Sequence, residues 1–249
     1  MLGLSSLAAC DVVWGLSGEP GPCDLDSFDG ATSSDAIMSG DLFTVSQGTN
    51  RVVVAAEGNV FEHPLAGGDP AQLDLGIYPP LAVALAPEGT LLFHSGAIEP
   101  PLLQMATRDA AGVWTNTDRK PPKGIVAGVP TALDFGPRRV LVRLRFGFSE
   151  VQEYVDDGVA WNPVGEPQVI RGFRPPNLTP SGLTMVFTDF DELGQHFVFA
   201  ANRDSTDEPF GDPTLLRTTE ADAHDAQLVG TRCNTMFVNE AGSLKRLDR

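Results

Sequence analysis

Five copies of a unit of about 45–50 residues, room in each for four short strands, and a turn-rich composition predict an all-β chain. The fold they predict is a five-bladed β-propeller of four-stranded antiparallel blades, its ring closed by an N-terminal strand. The 249 residues include 26 Gly and 20 Pro, more than long helices tolerate, against an apolar fraction of 42% that suits a folded core.

The repeat is read from two independent elements. Leu85-Ala86-Pro87-Glu88-Gly89-Thr90-Leu91-Leu92-Phe93 aligns with Leu178-Thr179-Pro180-Ser181-Gly182-Leu183-Thr184-Met185-Val186-Phe187, each reading as strand, tight turn, strand. Leu133 to Val142 and Leu228 to Val238 repeat the pattern, and a diverged copy runs from Asp41 through the turn Gly48-Thr49-Asn50 to Val54. A third element follows in each: Gln104 to Asp109 matches Phe199 to Asp204, both ending in Arg-Asp, with Val60 to His63, Val151 to Val155 and Leu244 to Leu247 as equivalents. A fourth follows an aromatic-led turn at Val113-Trp114-Thr115, Val159 to Pro163 and Pro209 to Pro213. A sixth, degenerate blade is the alternative ring; a β-sandwich also needs short strands and frequent turns, but repetition weighs against it.

The chain reaches Arg249 just after the third element of the fifth copy, so that blade lacks its outermost strand. Val12 to Leu16 or Cys23-Asp24-Leu25 is expected to supply it. The organisation read from the sequence is therefore a leader over 1–10, a closing segment over 11–35 and the propeller over 36–249.

These phrases resemble the TolB-type, WD-repeat-like propellers of bacterial envelope proteins, whose blades carry a run similar to Leu178 to Phe187. Leu85 to Phe93 and the Arg203-Asp204 to Pro213 pattern are the next best matches, and the turn Asp of that family is Glu88 in one copy and Ser181 in the other. The resemblance implies an exported propeller scaffold used for protein contacts, and no single activity. Leu7-Ala8-Ala9-Cys10 resembles a bacterial lipobox, which implies a diacylglycerol on Cys10, a membrane anchor and a place in the cell envelope. With Cys10 lipidated, Cys23 and Cys233 are left to pair, and a loop so long makes that disulfide stabilising in an oxidising compartment. Ring closure would bring the N-terminal segment beside Cys233.

Lys+Arg number 17 against 33 Asp+Glu, a net charge of −16, which excludes nucleic acid as a partner without a local basic stripe. The one basic cluster, Arg138, Arg139, Arg143 and Arg145, reads as internally paired or solvated. Asp24, Asp26 and Asp29, and Asp189, Asp191 and Glu192, are acidic runs with oxygen ligands at alternate positions, but neither carries a full calcium-loop pattern, so both read as turn carboxylates. Five-bladed propellers also include glycosidases that use carboxylates of the innermost strands. Asp41, Asp134 and Asp225 stand at or near such strands and define the alternative function, a carbohydrate-active hydrolase. His63, His94, His196 and His224 fall at unrelated places in their repeats, and Trp14, Trp114 and Trp161 read as packing between blades. Asn177-Leu178-Thr179 fits a glycosylation sequon inside the best repeat match. No nucleophile elbow, phosphate loop, dinucleotide fingerprint or zinc spacing occurs. The expectation is a monomeric, non-enzymatic binding module with an envelope protein as partner, no catalytic residues, no metal and no cofactor.

Overall fold

The computed structural model describes residues 21–33, 38–40, 42–46, 48–76, 79–96, 102–145, 150–170, 174–219, 222–230 and 233–249. Two short strands, β1 (Thr32–Ser33) and β2 (Met38–Ser39), precede five sheets. The first blade holds β3 (Leu42–Ser46), β4 (Arg51–Ala56), β5 (Asn59–Pro64) and β6 (Ala71–Leu73). The second holds β7 (Pro80–Leu85), β8 (Leu91–Gly96), β9 (Leu103–Arg108) and β10 (Trp114–Asn116); the third holds β11 (Val126–Ala127), β12 (Arg139–Arg143), β13 (Glu150–Asp156) and β14 (Trp161–Val169). The fourth holds β15 (Asn177–Leu178), β16 (Thr184–Phe190), β17 (His196–Asn202) and β18 (Thr214–Thr218), and the fifth β19 (Ala223–Val229), β20 (Thr235–Glu240) and β21 (Ser243–Asp248). Within every sheet consecutive strands pair antiparallel, which is the five-bladed propeller expected.

Each blade is wedged between two others, so its inner strands are covered on both faces and are buried along their length rather than at alternate positions. Leu42–Ser46 and Thr235–Glu240 are buried at every position, whereas the edge strand Trp161–Val169 is exposed at most of its positions. The core is accordingly five wedges, one per interface. Phe43, Val45, Val52 and Val54 of the first blade meet Val229, Phe237 and Leu244 of the fifth, closing the ring.

The turn glycines of the repeat have a steric reason. Gly89 and Gly182 take φ values of 71° and 73°, and a Cβ on either would fall 2.6 Å from Thr49 or 2.8 Å from Thr131 of the preceding blade's turn. The third copy departs from its sequence reading. The Thr131 N–H donates to Arg139 O as the Ala86 N–H does to Leu91 O and the Thr179 N–H to Thr184 O, so Pro130, not Leu133, stands where Leu85 and Leu178 do. Leu133–Phe135 is instead a single 3-10 turn in a longer loop, with Leu133 on the surface. The Pro209 to Pro213 segment is likewise the approach to β18 rather than the strand itself.

The ring is closed by an N-terminal strand, but not by the segments expected. Val12 to Leu16 lies outside the described residues, and Cys23 to Leu25 forms no strand. β1 and β2 complete the fifth blade, pairing Thr32 with Asp248 and Met38 with Leu244 along the free edge of β21. The chain around Cys23 passes between blades instead: its N–H donates to Thr184 Oγ1 at 2.9 Å, and its carbonyl accepts from Asn202 Nδ2 at 2.7 Å. Cys23 is disulfide-bonded to Cys233, with Cα atoms 5.4 Å apart, in the turn between β19 and β20.

A recurring cation ties the outer parts of the blades together. The N–H groups of Arg108, Arg203 and Arg249 donate to Thr90 O, Leu183 O and Asn234 O, the same ladder position at the end of the third strand. Each guanidinium lies over an aromatic ring, Trp114 at 5.9 Å, Phe210 at 4.2 Å and Phe28 at 4.4 Å. Arg108 also reaches Glu62 of the preceding blade at 3.1 Å, and Arg203 reaches Glu153 of its preceding blade at 2.9 Å. In the third blade Asp156 takes this position, and Arg119 arrives from the preceding connection to pair with it and cover Trp161.

Two outcomes follow from these pairs. Glu153→Leu strands the buried Arg203 and its neighbour Arg139, so unfolding in urea should show a loss of about 3–5 kcal/mol, largely restored by adding Arg203→Met. Burial alone would raise the Glu240 carboxyl, but hydrogen bonds from Lys245 and Arg217 more than reverse this and hold it below the ordinary carboxylate range. A lowered folded-state pKa contributes stability above the unfolded value and loses it as pH falls through the folded one. Thermal melts from pH 7 downward should therefore show a fall in stability below about pH 4 that is shallower in Glu240→Gln.

Candidate functional site

The innermost strands run in one direction and are joined by side chains. Thr44 Oγ1 accepts from the Leu85 N–H at 2.9 Å, and the Gln227 amide donates to Val45 O at 2.8 Å while accepting from the Val45 N–H at 2.9 Å. Asn177 accepts from the Val129 N–H and donates to Ala226 O, each at 2.8 Å, so the sequon residue spans three blades. A Cβ on Gly128 would lie 1.9 Å from Pro176 O, which only glycine permits so close to the axis.

At the face where the inner strands begin, which is the mouth of the ring, Arg174 reaches from the fourth blade to two others. It donates to Leu81 O of the second blade at 3.0 Å and lies 3.3 Å from Asp225 of the fifth. Asp225 sits at φ 53° within a bulge between His224 and Gln227. Burial pushes its carboxyl up, against the pull of Arg174, His224 and the Phe43 N–H. Burial and then the charge of Arg174 hold the Arg143 guanidinium below its ordinary range.

Of the three carboxylates considered for hydrolysis, the two that are described lie apart. Asp225 is at the channel, Asp134 is exposed on the 3-10 turn of the opposite face, and Asp41 lies outside the described residues. Asp191 Oδ1 serves a turn, accepting from the N–H groups of Leu193 and Gln195, both at 2.9 Å, whereas Asp29 Oδ1 ties its segment to β18 by accepting from the Thr218 N–H at 3.1 Å. Among the described residues no three His, Cys, Asp or Glu stand close enough to hold a metal ion. In the basic cluster Arg138 pairs with Glu88, Arg139 with Glu153 and Asp207, and Arg145 with Glu150. His94 is buried and bonded to Asn116 Oδ1 at 2.8 Å, its pKa lowered by that burial. Cys10 and Trp14 lie outside the described residues.

Two histidines from unrelated repeat positions do come together. First and third strands of a blade run the same way, so His196 at the start of β17 and His224 near the start of β19 share one face. Their rings meet edge to face with centroids 5.6 Å apart, and the Phe190 ring lies against His196 at 5.5 Å. His196 Nε2 is 3.2 Å from Asp222 Oδ1 and its Nδ1 3.2 Å from Ala223 O, while burial lowers the pKa of His224. With Thr188, Asp189 and Gly194 these residues line a cleft of about 300 Å³ between the fourth and fifth blades. On the other side of the fourth blade, Met185, Phe187, Phe199 and Phe210 line an apolar groove of about 400 Å³. The sequence signal for the histidine pair was their common place at the start of strands running the same way, which spacing within the repeat did not expose.

No protein-family model matches the chain, and no curated protein matches it. Solved propeller structures do. A gluconolactonase of Xanthomonas campestris matches with a TM-score of 0.53 at 10% identity, covering 93% of this chain and 95% of its own. A protein assigned as TolB from Agrobacterium tumefaciens matches with a TM-score of 0.48 at 13% identity, over 84% of this chain and 69% of its own. A luciferin-regenerating enzyme matches with a TM-score of 0.45 at 13% identity, over 91% of this chain and 80% of its own. The likeness to the gluconolactonase extends over nearly the whole of both chains and, at that identity, is a likeness of fold.

Proposed function

We propose that the protein is a non-enzymatic lipoprotein of the cell envelope, held to a membrane by a diacylglycerol on Cys10, that works as a monomeric propeller scaffold binding a partner protein. The observation that carries this reading is the centre of the ring. Inner strands bond directly to one another through Thr44, Gln227 and Asn177, and Arg174 spans the mouth from the second blade to the fifth. These bonds between blades stiffen the frame at the axis, and a stiff frame presents its loops and clefts for contact. Exposed Phe190, Leu193 and Leu215 on the fourth blade, with Val169 beside it, suit protein contact. The Cys23–Cys233 disulfide and the lipobox-like Leu7 to Cys10 agree with an oxidising compartment.

The intact mass of protein taken from membranes, before and after reduction, tests the anchor. A diacylated N-terminus at Cys10 with a gain of two hydrogens on reduction is expected, and Cys10→Ala should move the protein to the soluble fraction. An unmodified Met1 with free thiols would overturn the envelope reading. Turnover of any substrate in a panel of glycans and sugar lactones, lost in Asp225→Ala, would replace the scaffold by a hydrolase.

A further inference from the structure

We infer that the cleft between the fourth and fifth blades is the docking pocket for a basic side chain, that of an arginine or lysine, on a partner protein. The inference rests on the scaffold reading and gives the partner its chemistry. One wall of the cleft is aromatic: Phe190 lies against the His196 ring at 5.5 Å with planes inclined by 31°, and the His224 ring stands across at 5.6 Å. Such faces attract a cation through their negative π-clouds, and a planar guanidinium stacks on them.

Carboxylates complete the recognition. Asp222, 76% exposed at its side chain, stands at the rim, with Asp189 on the ridge of the opposite wall. Asp189 Oδ1 accepts from the Phe190 N–H at 2.9 Å, and Asp189 borders both this cleft and the apolar groove on the other side of the blade. Among the described residues lining the cleft there is no Lys or Arg. The nearby Arg174 is 3.3 Å from Asp225, so the back of the site carries a matched pair, while at the front Asp222 meets His196 Nε2 at 3.2 Å and keeps most of its side chain open to a second cation. Charge-assisted bonds from a guanidinium to such a rim are stronger than neutral ones.

Size and surroundings select a side chain over a free ion. About 300 Å³ lies at the small end of ligand pockets and admits a guanidinium with its methylene stem. Beside it the hairpin tip that joins β16 to β17 carries Leu193, 93% exposed, and Phe190 is 48% exposed. An apolar shelf next to an acidic, aromatic slot is the arrangement by which a protein surface receives an arginine with its apolar neighbours.

The test is an NMR titration of the full chain, following the imidazoles of His196 and His224 and the ring of Phe190. The probes are a short peptide with one arginine between leucines, the same peptide with citrulline, and spermidine. Saturable shifts confined to these rings are expected for the arginine peptide, with affinity at least tenfold above that for citrulline. Asp189→Asn with Asp222→Asn should weaken binding at least tenfold, and Phe190→Leu should weaken it independently, with resonances elsewhere unchanged. Equal binding of the arginine and citrulline peptides, or shifts unaffected by the double substitution, would overturn the proposal. Tighter binding of spermidine than of the peptide would assign the cleft to a small cation and overturn the protein partner. A partner crosslinked to the lipid-anchored protein equally well with and without Asp222→Asn would sink the cleft and leave the scaffold standing.

Discussion

Closure of the ring is the constraint on which the other interactions hang, because the fifth blade brings only three strands of its own. Each blade is stable only as a wedge with apolar faces covered on both sides, so an open fifth blade would uncover two wedges at once. The free edge of β21 is filled by β1 and β2, and the segment just ahead of them is pinned three ways. Cys23 is tied to Cys233, Phe28 is buried with its N–H on Leu216 O at 2.6 Å, and Arg249 lies over the Phe28 ring while bonding carbonyls of Asp24 and Asp26. First and last residues of the described chain therefore form one structural unit. Local contacts cannot assemble it early, and its loop-closure entropy is that of nearly the whole chain.

The cation at the end of the third strand is how the same problem is solved at the other interfaces. A guanidinium between an aromatic ring and the preceding blade's glutamate covers apolar surface with its stem and satisfies a buried charge with its head. Arg249 keeps the aromatic contact but meets backbone carbonyls instead of a carboxylate, because the position of Glu62 and Glu153 is Ala200 in the third strand of the blade before it. Asp156 reverses the charge at that position, and the aromatic is then covered by Arg119. The device survives exchange of its parts because only the stacking and the local neutrality matter.

Much of this was legible in the sequence, and what was not has physical causes. Doubly buried strands announce themselves by apolar runs such as Val52–Ala55 and Met236–Val238, and Gly89 and Gly182 by a turn that only positive φ permits. The Arg-Asp ending of the third element was visible as a repeat, yet its partners Glu62 and Glu153 were not, since they sit a blade away. Leu133 misled because a longer loop places an exposed leucine at the spacing of a buried one. The closing strand was missed because Thr32–Ser33 is short, polar and exposed, with nothing in its pattern to distinguish it from a loop. Asp134 and Asp225 looked equivalent by position in the repeat, and the turn of the third blade carries one of them to the far face.

The cleft and the channel mouth owe their separation to one irregularity. In a regular strand His224 and Asp225 would simply alternate across the pleat, but the bulge between His224 and Gln227 turns the backbone through φ 53° at Asp225. Asp225 is thereby aimed at Arg174 across the mouth, and Gln227 is brought into register with Val45 of the first blade. His224 is left facing His196, where the fourth blade ends its third strand's approach. A single inserted residue in the first strand of the last blade thus closes the axis with one side chain and furnishes the inter-blade cleft with the next, which is why the acidic, aromatic slot lies between these two blades.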